Sequence, residues 1–210
     1  MSVTIRRWVI FLTGCLPAVL LVSGAINQTL GADPAKTIVW ETGHWALRFL
    51  LITLAVSPLV RYLKWRWLMV HRRMLGLFSL FYALLHLLAY YQFILGGNLL
   101  MLGSEIVHRP YILAGAPVIV ILIILGITST KGWMKRLGKR WQQLHRLVYP
   151  ALVLGWIHLL WQVRASYQDA FIYGVIGGAL LATRFPRWQA QWKGFIRKRR
   201  NPDLRDHSRR

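Results

Sequence analysis

The sequence predicts an all-α polytopic membrane bundle of six transmembrane helices with both termini cytoplasmic. Three observations predict it. Hydrophobic residues make up 56% of the 210-residue chain, and mean hydropathy is +0.42. The apolar residues gather in runs near the roughly 20 residues that a helix needs to cross a bilayer. The 27 lysines and arginines stand against 6 acidic residues, a net charge of +21, and most of them lie between the runs. In a soluble chain such a charge points to nucleic acid. Between apolar runs it encodes topology and contact with membrane lipid, so no nucleic acid is expected. Cys15 is the only cysteine, which excludes an intramolecular disulfide, a CxxC redox pair and a cysteine-ligated iron–sulfur cluster.

The first run covers residues 8–26, behind Arg6 and Arg7. It is longer than a usual signal core and is read as an uncleaved helix, with Ser23 and Ala25 offering a cleavage site as the alternative. A polar loop at 27–42 precedes the second span, 43–60, whose end Pro58 marks. The third span is 74–95, broken by Gly96, Gly97 and Asn98. The loop at 99–110 is apolar enough to lie partly in the membrane interface. The fourth span is 111–128, the fifth lies within 137–161, and the sixth covers 170–183, where Gly174, Gly177 and Gly178 suit close packing. Two parts follow: a six-helix domain at 1–183 and a basic cytoplasmic tail at 184–210.

Charge sets the orientation. Arg6 and Arg7, five cations after the second span, five in 131–140 and ten from Arg184 onward fall on one side. The opposite loops hold Lys36, Arg109 and Arg164 beside Asp33, Glu41, Glu105 and Asp169. The positive-inside rule makes the first side cytoplasmic, and an even number of spans then returns both termini to it.

Three histidines fall inside the third and fifth spans, where an ionisable side chain is costly and marks function. Neutral imidazole is a common axial ligand of haem iron. His145 and His158 are thirteen residues apart, roughly 20 Å on a continuous helix, so one lies near each membrane face. His86 lies fourteen residues beyond Arg72, about 21 Å deeper, at the level of His158. His86 and His158 are therefore candidate ligands of one haem near the outer face. His145 lies at the inner level opposite Arg72 and Arg73, and whether Pro150 kinks its helix is open. Packing of these histidines by hydrogen bonds across helices is the plain alternative. Arg48, inside the second span, either snorkels to the headgroups or pairs with a propionate of the outer haem.

The segments beginning Arg72-Arg73-Met74-Leu75-Gly76-Leu77 and reaching His86 and Tyr90, and residues 137–149 (LGKRWQQLHRLVY), resemble the MsrQ (YedZ) family of the ferric reductase-like transmembrane superfamily. Gly31-Ala32-Asp33-Pro34 and Thr128-Ser129-Thr130 extend the resemblance over nearly the whole chain. The resemblance implies a six-helix b-type haem protein of the bacterial inner membrane, an electron-transfer subunit and not the catalytic one. It implies a periplasmic MsrP-like molybdopterin partner that repairs methionine sulfoxide. It also implies FMN, with the quinone pool or a cytoplasmic flavin reductase as donor. His86, His145 and His158 fall on the family's haem-associated positions. Arg72 stands where two-haem relatives carry a second histidine, so one haem is expected and a second stays open.

Two other functions are open to the sequence. One is a quinone-linked cytochrome b subunit of a different dehydrogenase, the other a haem-free transporter or assembly protein. The tail reads as an interfacial amphipathic helix, with Trp188, Trp192, Phe195 and Ile196 at helical spacing.

Overall fold

The computed structural model describes residues 2–162 and 167–184, and the expected amphipathic tail beyond Arg184 lies outside them. The described residues are helical, without strands. The helices are α1 (Val3–Ile26), α2 (Pro34–Tyr62), α3 (Leu68–Ala89), α4 (Met101–His108), α5 (Pro110–Ile127), α6 (Lys131–Leu137), α7 (Lys139–Leu144), α8 (Val148–Gln162) and α9 (Gln168–Ala182). A π-turn, Tyr90–Ile94, extends α3. Four helices are long and apolar enough to cross a membrane: Val3–Ile26, Pro34–Tyr62, Leu68–Ile94 and Pro110–Ile127. The expected fifth and sixth spans correspond to α8 and α9, of 15 residues each.

Two of the departures from expectation have local reasons. The polar stretch before the second span is partly helical, because Asp33 caps the Lys36 N–H and Pro34 occupies the first turn, where its missing donor costs nothing. The stretch at 137–161 is not one helix. Gly138 turns the chain at φ +49, and a 3-10 turn at His145–Leu147 separates α7 from α8. His145 thus stands off the helix that carries His158. Pro150 falls in the first turn of α8, where proline is tolerated.

Helix α2 is central. Leu47, Leu50, Leu51 and Leu54 recur at helical spacing and pack with Ala83, Leu122 and Leu152. Phe49 and Val56 point to the other side, against Leu75, Phe78 and Tyr82. Lipid tails are as apolar as these side chains, so close packing and internal hydrogen bonds hold such a bundle more than water exclusion does. Two buried hydroxyls show this. Ser79 on α3 donates to the Ala46 carbonyl on α2 at 2.9 Å. Tyr82, with no exposed surface, donates to the Gly14 carbonyl at 2.7 Å and accepts from the Ala18 N–H at 3.1 Å. Those are the two groups that an uninterrupted α1 would join to each other. Pro17 lies between them, and the Tyr82 hydroxyl bridges the gap.

Candidate functional site

The site is built on four helices and one local device used twice. His86 on α3 reaches α2, where its Nδ1 lies 2.8 Å from the Val39 carbonyl. His158 on α8 reaches α5, where its Nδ1 lies 2.7 Å from the Tyr111 carbonyl. A carbonyl only accepts, so each Nδ1 carries the proton and each Nε2 keeps its lone pair. Four residues beyond each carbonyl stands a glycine, Gly43 and Gly115. Each ring lies in the notch that the missing side chain leaves. A Cβ on Gly43 would stand 3.0 Å from Nδ1 of His86, and one on Gly115 would stand 2.6 Å from Nδ1 of His158.

The two rings are 6.1 Å apart between centroids and nearly perpendicular, at 85°. Two metal–nitrogen bonds of about 2 Å each, with the ring radii added, span roughly this distance. Among the described residues no group of three His, Cys, Asp or Glu side chains could hold a metal ion by itself. Two neutral imidazoles in the Nε2-available tautomer, with their other nitrogens anchored, fit a metal whose remaining ligands come from a macrocycle.

His145 is placed elsewhere. Its Nδ1 lies 3.2 Å from the Trp141 carbonyl and its ring stacks on Trp141 at 3.9 Å. Its Nε2 lies 3.4 Å from the Ser129 hydroxyl, whose proton goes to the Leu125 carbonyl at 2.6 Å. Arg72 is an electrostatic neighbour of His145 and also faces Tyr149 and Arg184. Sequence reasoning treated Arg184 as the start of the tail, but it is buried. Its guanidinium donates to the Leu54 carbonyl at 2.6 Å and the Leu180 carbonyl at 2.5 Å, and lies 5.4 Å from the centre of the Tyr149 ring. The acids placed by the described structure, Asp33, Glu41, Glu105 and Asp169, all lie in or beside the opposite loops. This end of the bundle is therefore cationic, suited to phosphate or carboxylate groups.

Arg48 belongs to a third cluster. It donates from Nε to the Tyr173 hydroxyl at 2.8 Å, pairs with Glu41 at 3.5 Å and lies over the Trp45 ring. Beside it His44 is buried, 3.9 Å from the Asp169 carboxylate, with Nδ1 lacking a hydrogen-bond partner among the described residues.

At the mouth of the paired-histidine site Glu105 accepts from the Tyr90 hydroxyl at 2.7 Å and from Nε of Arg109 at 2.7 Å. Arg109 also donates to the Tyr111 hydroxyl at 3.1 Å. That bond first, with the nearby charge of Glu105 assisting, pushes the guanidinium further above its ordinary range, so it stays cationic.

The fold and site define an all-helical membrane protein that brings two imidazoles together between facing helices. The model of the ferric reductase like transmembrane component matches residues 39–156. The chain is 44% identical over 183 residues to the protein-methionine-sulfoxide reductase heme-binding subunit MsrQ of Klebsiella pneumoniae (strain 342), covering 87% of this chain and 92% of that one. It is 42% identical to the subunit of the same name from Salmonella enteritidis PT4 (strain P125109), over 91% of this chain and 97% of that one. The subunit from Herminiimonas arsenicoxydans is 41% identical, over 91% and 90%. No solved structure matches. The chain belongs to the MsrQ family of ferric reductase-like transmembrane proteins.

Proposed function

We propose that this protein is the b-type haem membrane subunit that passes electrons across the bacterial inner membrane to a periplasmic methionine sulfoxide reductase of the molybdopterin type. The observation that carries the reading is the matched state of His86 and His158, each donating Nδ1–H to a main-chain carbonyl and each keeping Nε2 available. When bound between them, a haem iron supplies reversible one-electron chemistry that no side chain here supplies.

The chain's own part is orientation and environment. The Val39 and Tyr111 carbonyls fix the two ring planes and raise the basicity of the free nitrogens. Gly43 and Gly115 let the rings approach the neighbouring helices. Both rings are only partly exposed, so nearby charge acts on them more strongly than in water.

The finer topology follows from charge. Helices α8 and α9 supply the fifth and sixth crossings, and both termini are cytoplasmic. Helix α4 faces the periplasm and the partner. Electrons enter at the inner end from the quinone pool or a cytoplasmic flavin reductase. Arg72, Arg184 and Tyr149 there favour an anionic ligand, the phosphate of FMN or the propionates of a second haem beside His145. Arg48, tied to Tyr173 and Glu41, would be the residue to meet a propionate of the outer haem.

The test is reoxidation. The purified protein, reduced under nitrogen and mixed with methionine sulfoxide, should reoxidise only when the periplasmic reductase is added. Equal reoxidation without the reductase would refute the assignment. Labelling of a cysteine placed in 131–140 by an impermeant reagent outside intact cells would reverse the orientation.

A further inference from the structure

Four polar side chains at the outer end of the bundle join the helix of one candidate ligand to the carbonyl that orients the other. Tyr90 stands one helical turn beyond His86, where α3 passes into the π-turn Tyr90–Ile94. Such turns reset the phase of the side chains that follow and recur at functional sites. The Tyr90 hydroxyl donates to Oε2 of Glu105 on α4, and the same oxygen accepts from Nε of Arg109. A second nitrogen of Arg109 donates to the hydroxyl of Tyr111, in the first turn of α5. The main-chain carbonyl of Tyr111 takes the Nδ1 proton of His158, and its ring meets the His158 ring at 5.7 Å and 67°.

We propose that Glu105 and Arg109 are positioning residues for the paired-histidine site: they strap Tyr111, and with it His158, to the helix that carries His86. The inference rests on His86 and His158 being the ligands of one haem. An exposed ion pair by itself stabilises little. Here the carboxylate is only 22% exposed and receives two donors on one oxygen, and the guanidinium spends two nitrogens on two different partners. Charge-assisted bonds of this kind fix direction as well as distance. The other acids of the described residues do different work: Asp33 caps α2, Glu41 meets Arg48 and Asp169 faces His44. Glu105 alone among them links both ligand-bearing arms. The strap acts through the carbonyl that holds the His158 ring, so its loss alters ring orientation at the iron before it alters haem content.

The experiment uses full-length protein loaded with haem in detergent or nanodiscs. Variants are Glu105→Gln, Arg109→Gln, Arg109→Lys and Tyr111→Phe, with Asp33→Asn as an outer-loop control. The readouts are the low-temperature EPR g values of the oxidised iron and the rate of haem loss to excess apomyoglobin. Glu105→Gln and Arg109→Gln should shift and broaden the largest g value and speed haem loss several-fold, at near-normal initial haem content. Arg109→Lys keeps the charge opposite Glu105 and should recover part of the haem-loss rate. Tyr111→Phe, which removes only the side-chain acceptor, should show the g shift in milder form. If Glu105→Gln, Arg109→Gln and Tyr111→Phe all keep unaltered g values and haem-loss rates, the strap is merely a loop contact and the proposal is wrong, whatever happens to melting temperature. Retention of the bis-histidine signal in His158→Ala would instead refute the ligand pair, and the strap with it.

Discussion

An alanine at position 115 would place its Cβ 2.6 Å from Nδ1 of His158, a distance that real Cβ contacts essentially never show. At position 43 the corresponding distance to Nδ1 of His86 is 3.0 Å, a contact that requires the ring to give by only a few tenths of an ångström. The two glycines do the same job with different tolerance. Alanine favours a helix over glycine by about 1 kcal/mol, so neither substitution harms helix formation itself. Gly115→Ala should therefore leave insertion intact while turning the His158 ring off the Tyr111 carbonyl and lowering haem per protein several-fold. Gly43→Ala should keep most of the haem with an altered spectrum. Full haem and an unchanged spectrum in Gly115→Ala would show that the notch does not set the ring.

The three histidines should respond unequally. His86 and His158 share one site, with ring centroids 6.1 Å apart, so either alanine variant leaves at most one strong ligand there. His86→Ala and His158→Ala should each abolish most of the bis-histidine haem signal while the protein still inserts. His145 stacks on Trp141 at the other end, so His145→Ala should spare that signal and slow reduction from the cytoplasmic side, or remove a second, weaker haem. Haem content, EPR and reduction rate separate these outcomes. Loss of all haem in His145→Ala, with normal content in His158→Ala, would invert the assignment.

Depth along a helix was legible in the sequence, and rotation about it was not. Counting residues from Arg72 to His86 brought His86 level with His158, because rise per residue is nearly constant. Which carbonyl and which glycine each ring meets depends on how α2 turns toward α3 and α5 toward α8, and side-chain packing sets that. The signal that was present, an intramembrane glycine four residues after Val39 and again after Tyr111, gains meaning only once the facing histidine is known. Counting failed where the rise changes. The turns at Gly138 and His145–Leu147 break the apolar stretch 137–161, so its phase says nothing about His145. Arg184 was missed because a cation at the end of a span normally belongs to the solvent, whereas this one turns inward onto Leu54. Tyr82 was missed because a tyrosine among apolar neighbours carries no mark of what its hydroxyl reaches.

Tyr82→Phe is the sharpest test of how α1 is held. The substitution keeps the ring stacked on Phe49, 5.4 Å away, and deletes only the oxygen that bridges Gly14 and Ala18. A buried carbonyl and a part-buried N–H would then lose a partner beside Pro17, each worth up to about 1–3 kcal/mol when left unmade. Repair of the α1 ladder would return part of it, so a net loss of about 1–3 kcal/mol is expected. Thermal unfolding in detergent reads the loss, and faster protease cleavage in 27–33 locates it at α1. The haem spectrum should not move, since Tyr82 touches neither ligand. Unchanged unfolding would mean that α1 mends its own ladder and is held by packing alone.

The inner end supplies the last prediction. Arg72 and Arg184 approach one another across Tyr149, and no acid of the described residues lies on that side of the bundle. Like charges at low dielectric repel and are costly to bury without a counter-charge. Arg184 is partly compensated by the carbonyls of Leu54 and Leu180, and no hydrogen bond of Arg72 is seen among the described residues. Arg72 therefore has the freer fork for a phosphate or carboxylate, and a lysine cannot match its two parallel donors. Arg72→Lys should lower retained FMN several-fold and Arg72→Gln should remove nearly all of it. Riboflavin, which lacks the phosphate, should be retained weakly by the unaltered protein and equally by both variants. The outer bis-histidine EPR signal should stay constant throughout, since it depends on His86 and His158. If FMN and riboflavin bind alike, and both are indifferent to Arg72, the cationic end serves haem propionates or lipid headgroups. Repeating the titration in nanodiscs with and without anionic phospholipid would then tell those two apart.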